Sequence, residues 1–315
     1  MSTNAAASTN EPFDLTGRVA IVTGAGAGLG RSYAIDLAMR GAHVLVNDLG
    51  SALDGTGGDA SAADSVVAEI RSMGGRAEAN YTSVATLQGG EQIVAHAVDA
   101  FGTIDIVVNN AGNMRLSSFA KLDVATVGDL LDVHLLGTYY VTKPAYLHMM
   151  DKQYGRIIFT GSGLGAFGIY GADLYATAKG GVFGLMQALR LECERWGIKV
   201  NGVAPMARTR MSGDDLYSDL PDELVGPEHV APVVSYLASE QCEVNGEMWS
   251  VGGGSVSRLF IGRTQGYFKN IETDGVLSPQ DIAGHLSEIQ SAVTFSEPAN
   301  WPAEWQEVVR MYRPA

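Results

Sequence analysis

The sequence predicts an α/β protein with a doubly wound parallel sheet of seven strands, helices on both faces of the sheet, and a C-terminal extension. Short β-branched runs alternate with helical segments, and this repeated order requires right-handed crossovers between parallel strands. The run 104–108 is almost continuously apolar, which is typical of a strand buried on both faces. The 315 residues are 46% hydrophobic and 18% charged, so the chain can bury a large core.

The seven predicted strands are short runs, most of them apolar and most of them followed by a helical segment. The strands are expected at 19–22, 44–46, 77–80, 104–108, 157–159, 199–203 and 248–251. The helices are expected at 28–40, 59–73, 91–101, 124–150 and 175–196. In such a sheet ligands bind at the carboxyl ends of the strands, near the point where the strand order reverses.

Three regions lie outside this alternation. Residues 1–12 have neither a basic segment nor an apolar one, so they are expected to form a disordered tail rather than a signal peptide. The main domain is expected to span 13–256, with a polar lid at 206–226. Residues 257–315, which are rich in aromatic side chains, are predicted to pack on this domain or on a partner subunit.

Charge and cysteine content narrow the function classes. The formal net charge is −14 and no basic run occurs, so we expect no binding to nucleic acid or to an anionic membrane. No apolar run is long enough for a transmembrane helix. The two cysteines, Cys193 and Cys242, are too few for a disulfide framework, which favours a reducing compartment and a cytoplasmic location.

A glycine-rich turn follows the first strand directly. Residues 23–30 are Thr-Gly-Ala-Gly-Ala-Gly-Leu-Gly and open a helix, which is the arrangement of a dinucleotide site. Glycine allows a tight turn and close approach of the backbone to a diphosphate, while the helix N-terminus supplies free N–H donors. Gly24, Gly28, Leu29 and Gly30 are therefore candidate cofactor-binding residues.

Asp48 lies 18 residues after Gly30, at the end of the second strand. A carboxylate about 20 residues after the glycine motif holds the ribose hydroxyls of NAD, and its charge disfavours the 2′-phosphate of NADP. No arginine or lysine occurs within the glycine-rich turn to offset that charge. The predicted cofactor is therefore NAD, and no metal is expected.

A second motif places a phenol and an ammonium one turn apart. Tyr175 and Lys179 are spaced i and i+4, so they lie on one face of a helix. A tyrosine with a pKa of about 10 becomes an effective base when a neighbouring lysine and the positive nicotinamide ring stabilise its phenolate. Ser162 follows a strand end and can hold the substrate oxygen. These three residues are the main catalytic candidates.

Over residues 15–255 the sequence resembles the short-chain dehydrogenase/reductase family, whose fold is Rossmann-type. The matching motifs are the glycine turn at 23–30, Asn-Asn-Ala-Gly at 109–112, Ser162, Tyr-x-x-x-Lys at 175–179 and Pro205 at a strand end. The resemblance implies that Asn109 contacts the cofactor and stabilises the sheet, and that Ser83 and Val84 flank the adenine. It also implies that Tyr175 and Lys179 contact the cofactor in addition to their catalytic role.

Two positions depart from the family pattern. His134 stands where family members usually carry an asparagine of the proton relay. It is either a relay member that holds a water or a helix histidine with a satisfied hydrogen bond. The usual Pro-Gly after the sixth strand is Pro205-Met206 here, which leaves the diphosphate contacts of that loop open.

Several segments resemble one branch of the family, the (3R)-hydroxyacyl-CoA dehydrogenases of multifunctional β-oxidation enzymes. That resemblance implies NAD-dependent oxidation of a 3-hydroxyacyl-CoA, possibly steroid-derived, in a homodimer or homotetramer. The alternatives are a dehydrogenase of free hydroxysteroids or other secondary alcohols, and a nucleotide-binding protein without turnover. Candidate cations for the CoA phosphates are Arg208, Arg210, Arg258 and Arg263.

Overall fold

The computed structural model describes residues 13–212, 217 and 219–313. The predicted disordered tail at 1–12 lies outside the described residues. Five residues of the predicted lid at 206–226 also lie outside them, namely 213–216 and 218.

The main sheet confirms the predicted doubly wound α/β fold, but it has eight strands rather than seven. The strands are β1 Val19–Thr23, β2 His43–Asn47, β3 Arg76–Asn80, β4 Ile106–Asn109, β5 Gly155–Thr160, β6 Ile198–Pro205, β7 Met248–Gly252 and β8 Ser255–Leu259. Their spatial order is β3-β2-β1-β4-β5-β6-β7-β8, with the first seven parallel and β8 antiparallel to β7. The extra strand exists because Gly253 and Gly254 adopt positive φ and turn the chain back along β7.

Helices cover both faces of the sheet. They are α1 Gly28–Met39, α2 Ser61–Ser72, α3 Leu87–Phe101, α4 Val127–Leu131, α5 Gly137–Lys152, α6 Gly163–Phe167, α7 Asp173–Cys193 and α8 Ala231–Ala238. The single helix expected at 124–150 is wrong in detail, because a π-helical segment, Asp132–Leu136, separates α4 from α5. Helices α6 and α8 are not among the helices that the sequence predicts.

Alternating strand side chains divide the core between the two faces. In β1, Ala20 and Val22 pack with α1, α2 and α8, whereas Ile21 packs on the other side with α3, α5 and α7. All three side chains are fully buried. A third, smaller apolar cluster surrounds Tyr175 and includes Leu130 and Ala178. The two main clusters pack on the two faces of the sheet. Because strands β1 to β7 are parallel, their carboxyl ends form one edge of the sheet.

The chain divides into two compact units, the second of which is Phe260–Ala315. Its described elements are a two-stranded sheet, β9 Arg263–Thr264 with β10 Phe295–Ser296, and the helices α9 Ile271–Asp274, α10 Pro279–Gly284, α11 Leu286–Gln290 and α12 Trp301–Tyr312. None of the described residues of this unit is buried. Across the described part of the whole chain, no helix combines the length and the apolar character needed to cross a bilayer.

Candidate active site

A cavity of about 470 Å³ opens at the carboxyl edge of the sheet. Its walls come from the glycine-rich turn, the ends of β2 and β3, the segment after β4, and the chain after β6. This is the edge at which doubly wound sheets bind their ligands. Of the predicted cofactor-binding residues, those lining the cavity are Gly24, Gly28, Leu29, Gly30, Asp48, Ser83 and Val84.

The glycine-rich turn requires glycine because its backbone packs closely against the chain itself. Gly24 has a φ of +64°, and a Cβ there would lie 2.7 Å from the Cα of Ala111. A Cβ at Gly30 would overlap the carbonyl oxygen of Gly24. The N-cap residue Ala27 caps no amide with its side chain, so the first turn of α1 presents its N–H groups to the cavity. The turn therefore has the geometry that a dinucleotide diphosphate requires.

A hydrogen-bond network fixes this turn against the segment after β4. The Thr23 hydroxyl accepts hydrogen bonds from the backbone N–H groups of Asn110 and Ala111, both at 3.0 Å. The Asn110 amide in return donates to the carbonyls of Thr23 and Gly24, at 3.0 and 3.1 Å. These hydrogen bonds fix the conformation of the turn without any bound ligand.

The Asp48 carboxylate lies at the rim of the cavity and binds backbone N–H groups on both sides. One oxygen accepts from Gly26 at 2.7 Å, and the other accepts from Gly50 at 2.6 Å. These contacts hold the carboxylate beside the glycine-rich turn, while its remaining lone pairs can accept from ribose hydroxyls.

Asn109 and Asn110 point to different sides of the sheet. The Asn109 amide donates to the Thr142 hydroxyl of α5 at 2.9 Å, and Asn109 is not among the residues that line the cavity. Asn110, which the sequence reasoning did not select, lines it. The predicted stabilising role of Asn109 thus has a visible contact, whereas its contact with the cofactor stays a prediction.

Tyr175 lies in the third apolar cluster. Ser162 lies at the start of α6. The Ser162 hydroxyl caps α6 by accepting from the Leu164 N–H at 3.1 Å. Burial raises the pKa of the Tyr175 phenol, interaction with the Ser162 hydroxyl lowers it, and the neighbouring Tyr217 raises it. Lys179 is not among the causes of this shift. Burial therefore dominates over the lowering that the sequence predicted.

Lys179 is buried one helical turn from Tyr175. Its ammonium nitrogen lies 5.7 Å from the centroid of the Tyr175 ring. It donates a hydrogen bond of 2.6 Å to the carbonyl of Thr160, the last residue of β5. Burial lowers the pKa of Lys179 to about 8, so its proton is easily exchanged near neutral pH.

His134 lies in the π-helical segment and packs edge-on against Tyr175, with 5.2 Å between the ring centroids. Its Nε2 lies 2.7 Å from the carbonyl oxygen and 3.1 Å from the backbone nitrogen of Asn113. Burial, together with the charge of Lys179, lowers the pKa of His134 to about 3, so the imidazole is neutral. Its contact with Asn113 matches a helix histidine with a satisfied hydrogen bond at one nitrogen.

The four candidate CoA arginines have different surroundings. Arg210 lines the cavity. Arg208 forms an ion pair with Asp222, and Arg258 lies 3.7 Å from Glu247. Arg263 forms ion pairs with two glutamates of the C-terminal unit, Glu304 and Glu307. Within the described residues, no group of three or more His, Cys, Asp or Glu side chains is placed to hold a metal ion.

Comparison with known proteins places this geometry in a family. Residues 18–216 match the model of the short chain dehydrogenase family. A protein of Mycobacterium tuberculosis named as a short-chain type dehydrogenase/reductase, Rv0148, is 46% identical over 86% of this chain and 93% of its own. A crystal structure of a short chain dehydrogenase from Mycobacterium avium superposes with a TM-score of 0.76 at 35% identity, over 89% of this chain and 98% of that chain.

Two further relatives carry names with a more specific activity or location. The peroxisomal multifunctional enzyme type 2 of Mus musculus is 47% identical over 81% of this chain, which spans 34% of that longer enzyme. The hydroxyacyl-CoA dehydrogenase ChsB1 of Mycobacterium tuberculosis is 35% identical over 79% of this chain and 81% of its own.

Proposed function

Because this chain belongs to the short-chain dehydrogenase/reductase family and is an oxidoreductase, we propose that it oxidises the hydroxyl of a 3-hydroxyacyl-CoA to the 3-oxoacyl-CoA with NAD. The observation that carries the chemistry is the placement of Tyr175 and Lys179 on one face of α7, with Ser162 at the end of β5, at the edge that holds the dinucleotide cavity. The relative named hydroxyacyl-CoA dehydrogenase supports the substrate class.

The residues that line the cavity would bind the cofactor. Gly24, Gly28 and the first turn of α1 would hold the diphosphate of the cofactor, and Asp48 would hold the adenosine ribose. When bound, NAD supplies the acceptor for the hydride that leaves the substrate carbon. The charge of Asp48 disfavours a 2′-phosphate at that position, which supports NAD over NADP.

Three side chains act on the substrate hydroxyl. Ser162 donates a hydrogen bond to the substrate oxygen and keeps the carbon in line for hydride loss. Tyr175 takes the hydroxyl proton as the carbon–oxygen double bond forms. The Lys179 ammonium stabilises the phenolate form of Tyr175 when it is protonated. His134 fixes the segment after β4 through Asn113 and packs against the Tyr175 ring.

Two observations favour the alternative substrate, a free hydroxysteroid or other secondary alcohol. Three of the four arginines proposed for the CoA phosphates are already paired with acidic side chains. The apolar cluster around Tyr175, which includes Leu164 and Met211, also suits a hydrocarbon body without phosphates.

Steady-state assays with NAD and matched substrates separate these functions. We expect kcat/KM to be highest for 3-hydroxyacyl-CoA esters and much lower for free hydroxysteroids. A large advantage for the free alcohols would replace the proposed substrate with the alternative. Tyr175→Phe is the control, since it is expected to abolish NADH formation while leaving NADH binding intact. Turnover that persists in this variant would contradict the assigned base.

We also propose that the protein forms a homodimer or homotetramer. The support is a set of exposed apolar side chains on α5 and α7, which include Tyr139, Leu147 and Leu191. Light scattering coupled to gel filtration tests this proposal, and a monomer at micromolar concentration would contradict it.

A further inference from the structure

Asn113 occupies a central position that neither the motifs nor the proposed catalytic roles explain. It follows the Asn-Asn-Ala-Gly segment after β4 and lines the dinucleotide cavity. It is only 8% exposed. Its backbone N–H and carbonyl both face Nε2 of His134, so the π-helical segment Asp132–Leu136 fixes the position of the main chain at this point.

The side chain of Asn113 faces a second element, the loop between β2 and α2. We call residues 49–56 the β2 loop, and nearly all of them line the cavity. A Cβ at Gly55 of this loop would lie 2.8 Å from Nδ2 of Asn113. The next residue, Met114, donates its N–H to the carbonyl of Leu53 at 2.9 Å. The β2 loop therefore crosses the cavity and rests on Asn113 and Met114.

The amide oxygen of Asn113 has no hydrogen-bond partner among the residues that the structure describes, and it is fully buried. Buried carbonyl oxygens in proteins are almost always paired, and an unpaired one costs free energy. The oxygen can only accept, so the missing partner must be a donor. In a dinucleotide the diphosphate carries no donor at neutral pH, whereas both riboses carry hydroxyl groups and the two bases carry one amino or carboxamide group each.

We propose that Oδ1 of Asn113 accepts a hydrogen bond from a ribose hydroxyl of the bound cofactor. The inference rests on the proposed use of NAD, and it makes Asn113 a cofactor-binding residue beneath the β2 loop. Because its backbone contacts His134 and its side chain faces Gly55, Asn113 connects the cofactor, the β2 loop and the π-helical segment Asp132–Leu136 at one residue.

The test compares Asn113→Ala with the wild-type chain in two measurements, the Kd for NADH by fluorescence titration and the Tm of the protein alone. Loss of one hydrogen bond predicts an affinity about fivefold weaker. The Tm without cofactor should stay the same or rise, because the substitution removes an unpaired buried oxygen. Asn113→Leu, which keeps the volume of the side chain, should give the same affinity loss.

Asn201→Ala provides a matched control. Asn201 is also a buried asparagine, but its amide donates to the Val244 carbonyl at 3.0 Å and accepts from the Glu247 N–H at 3.0 Å. It does not line the cavity. This variant should lower the Tm and leave the Kd for NADH unchanged, the reverse of the pattern expected for Asn113.

Titrations with AMP and ADP-ribose distinguish the two riboses. A loss of affinity in Asn113→Ala for AMP, for ADP-ribose and for purine riboside 5′-monophosphate, which lacks the adenine amino group, assigns the contact to the adenosine ribose. A loss for ADP-ribose without a loss for AMP assigns it to the second ribose. Either of these results supports the proposal, whereas a loss confined to ligands that carry the adenine amino group, or to NADH alone, would overturn it. Unchanged NADH affinity in folded Asn113 variants would overturn it, as would a fall in Tm like that of Asn201→Ala. Failure of the wild-type chain to bind NADH would instead overturn the proposed function, and this inference with it.

Discussion

Lys179 is a buried amine whose protonation couples the active site to the stability of the fold. Its pKa is lowered from the ordinary value near 10.5 to about 8 by burial. Between these two values the unfolded chain holds a proton that the folded chain has released. Folding is therefore favoured increasingly as the pH rises through this window, and the buried charge opposes folding below pH 8.

Comparison with Lys179→Met isolates this effect. We expect the unfolding free energy of the wild type, relative to the variant, to increase by about 2 kcal/mol between pH 7 and 9.5. The difference between the two proteins cancels the titration of other groups. Denaturant unfolding at several pH values measures it. A difference that stays constant with pH would show that the lysine is not desolvated in the fold.

His134 also makes the stability of the fold depend on pH, but on the acidic side of neutrality. Burial lowers the pKa of His134 to about 3, so the unfolded chain binds an extra proton between pH 6.5 and 3. The stability that depends on the neutral imidazole is complete above pH 6.5 and is lost as the pH falls below it. His134→Gln cannot titrate, and its amide can still pair with the backbone of Asn113.

We therefore expect the wild type to lose about 2 kcal/mol of unfolding free energy relative to His134→Gln between pH 7.5 and 5. Parallel stability curves for the two proteins would contradict the buried, neutral state of the histidine. Lys179 is mostly protonated throughout this range, so its titration contributes little to the difference between the two proteins.

At the scale of elements, close packing between α3 and α5 depends on one glycine. A Cβ at Gly90 in α3 would overlap the carbonyl of Tyr140 in α5. The added Cβ is bonded directly to the α3 backbone, and the Tyr140 carbonyl is part of the α5 backbone. The overlap can therefore be relieved only by shifting one of the two helices. Gly90→Ala should therefore lower the unfolding free energy by about 1–3 kcal/mol, as overpacked positions do.

Gly184 in α7 is the matched position, since nothing lies within 4 Å of a Cβ there. Gly184→Ala should raise the unfolding free energy by about 0.5–1 kcal/mol, because alanine loses less backbone entropy in a helix. Thermal and denaturant unfolding of both variants measures the contrast. Equal effects at the two glycines would mean that helix propensity, rather than the α3–α5 contact, decides their role.

The elements that the sequence predicted are those with a strong apolar signal. Most of the seven parallel strands are buried apolar runs, so their existence and their order along the chain follow from the pattern, whereas β3 reads Arg-Ala-Glu-Ala-Asn and is only partly buried. Strand β8 reads Ser-Val-Ser-Arg-Leu and lies mostly exposed at the sheet edge, so it carries no such signal. The π-helical segment Asp132–Leu136 keeps the apolar spacing of the helix around it, and it appears only in the backbone hydrogen bonds.

The candidate site shows the same division between motif and orientation. The glycine turn and Asp48 line the cavity, whereas Ser162 and the Tyr-Lys pair lie beside the end of β5 and do not line it, so their roles stay predictions. The pattern could not tell which of Asn109 and Asn110 faces the cavity. Asn109 ends β4, and successive strand residues point to opposite faces, so its amide reaches α5 instead.

At the scale of the whole molecule, a charged cluster stabilises the edge of the sheet opposite the active site. Asp105 precedes β4 and is buried. Its carboxylate accepts from the Val19 N–H at 2.8 Å, from Lys152 at 2.6 Å and from Arg18 at 3.3 Å. One side chain therefore ties together the start of β1, the start of β4 and the end of α5.

Asp105→Ala should lower the unfolding free energy by about 2–3 kcal/mol, because it leaves the buried Val19 N–H without its acceptor and removes the carboxylate from two cations. The two cations keep Glu240 and Thr103 as partners. Both cations are partly exposed, which limits the cost. The affinity for NADH should not change, since the cluster lies at the amino ends of the strands. Denaturant unfolding and NADH titration of the same variant measure both quantities. Weaker NADH binding would show that the two edges are coupled.

The two units of the chain differ in whether they can fold by themselves. The two main apolar clusters lie entirely within residues 1–259, so a chain ending at Leu259 should still unfold cooperatively.

The unit Phe260–Ala315 has no buried residue among those described, and its two strands form only two residue pairs. Its longest helix, α12, has 12 residues, a length that is marginal for an isolated helix in water. A peptide of residues 260–315 should therefore show a far-ultraviolet circular dichroism spectrum of an unfolded chain and no thermal transition. A cooperative transition in this peptide would mean that the unit contains a core of its own.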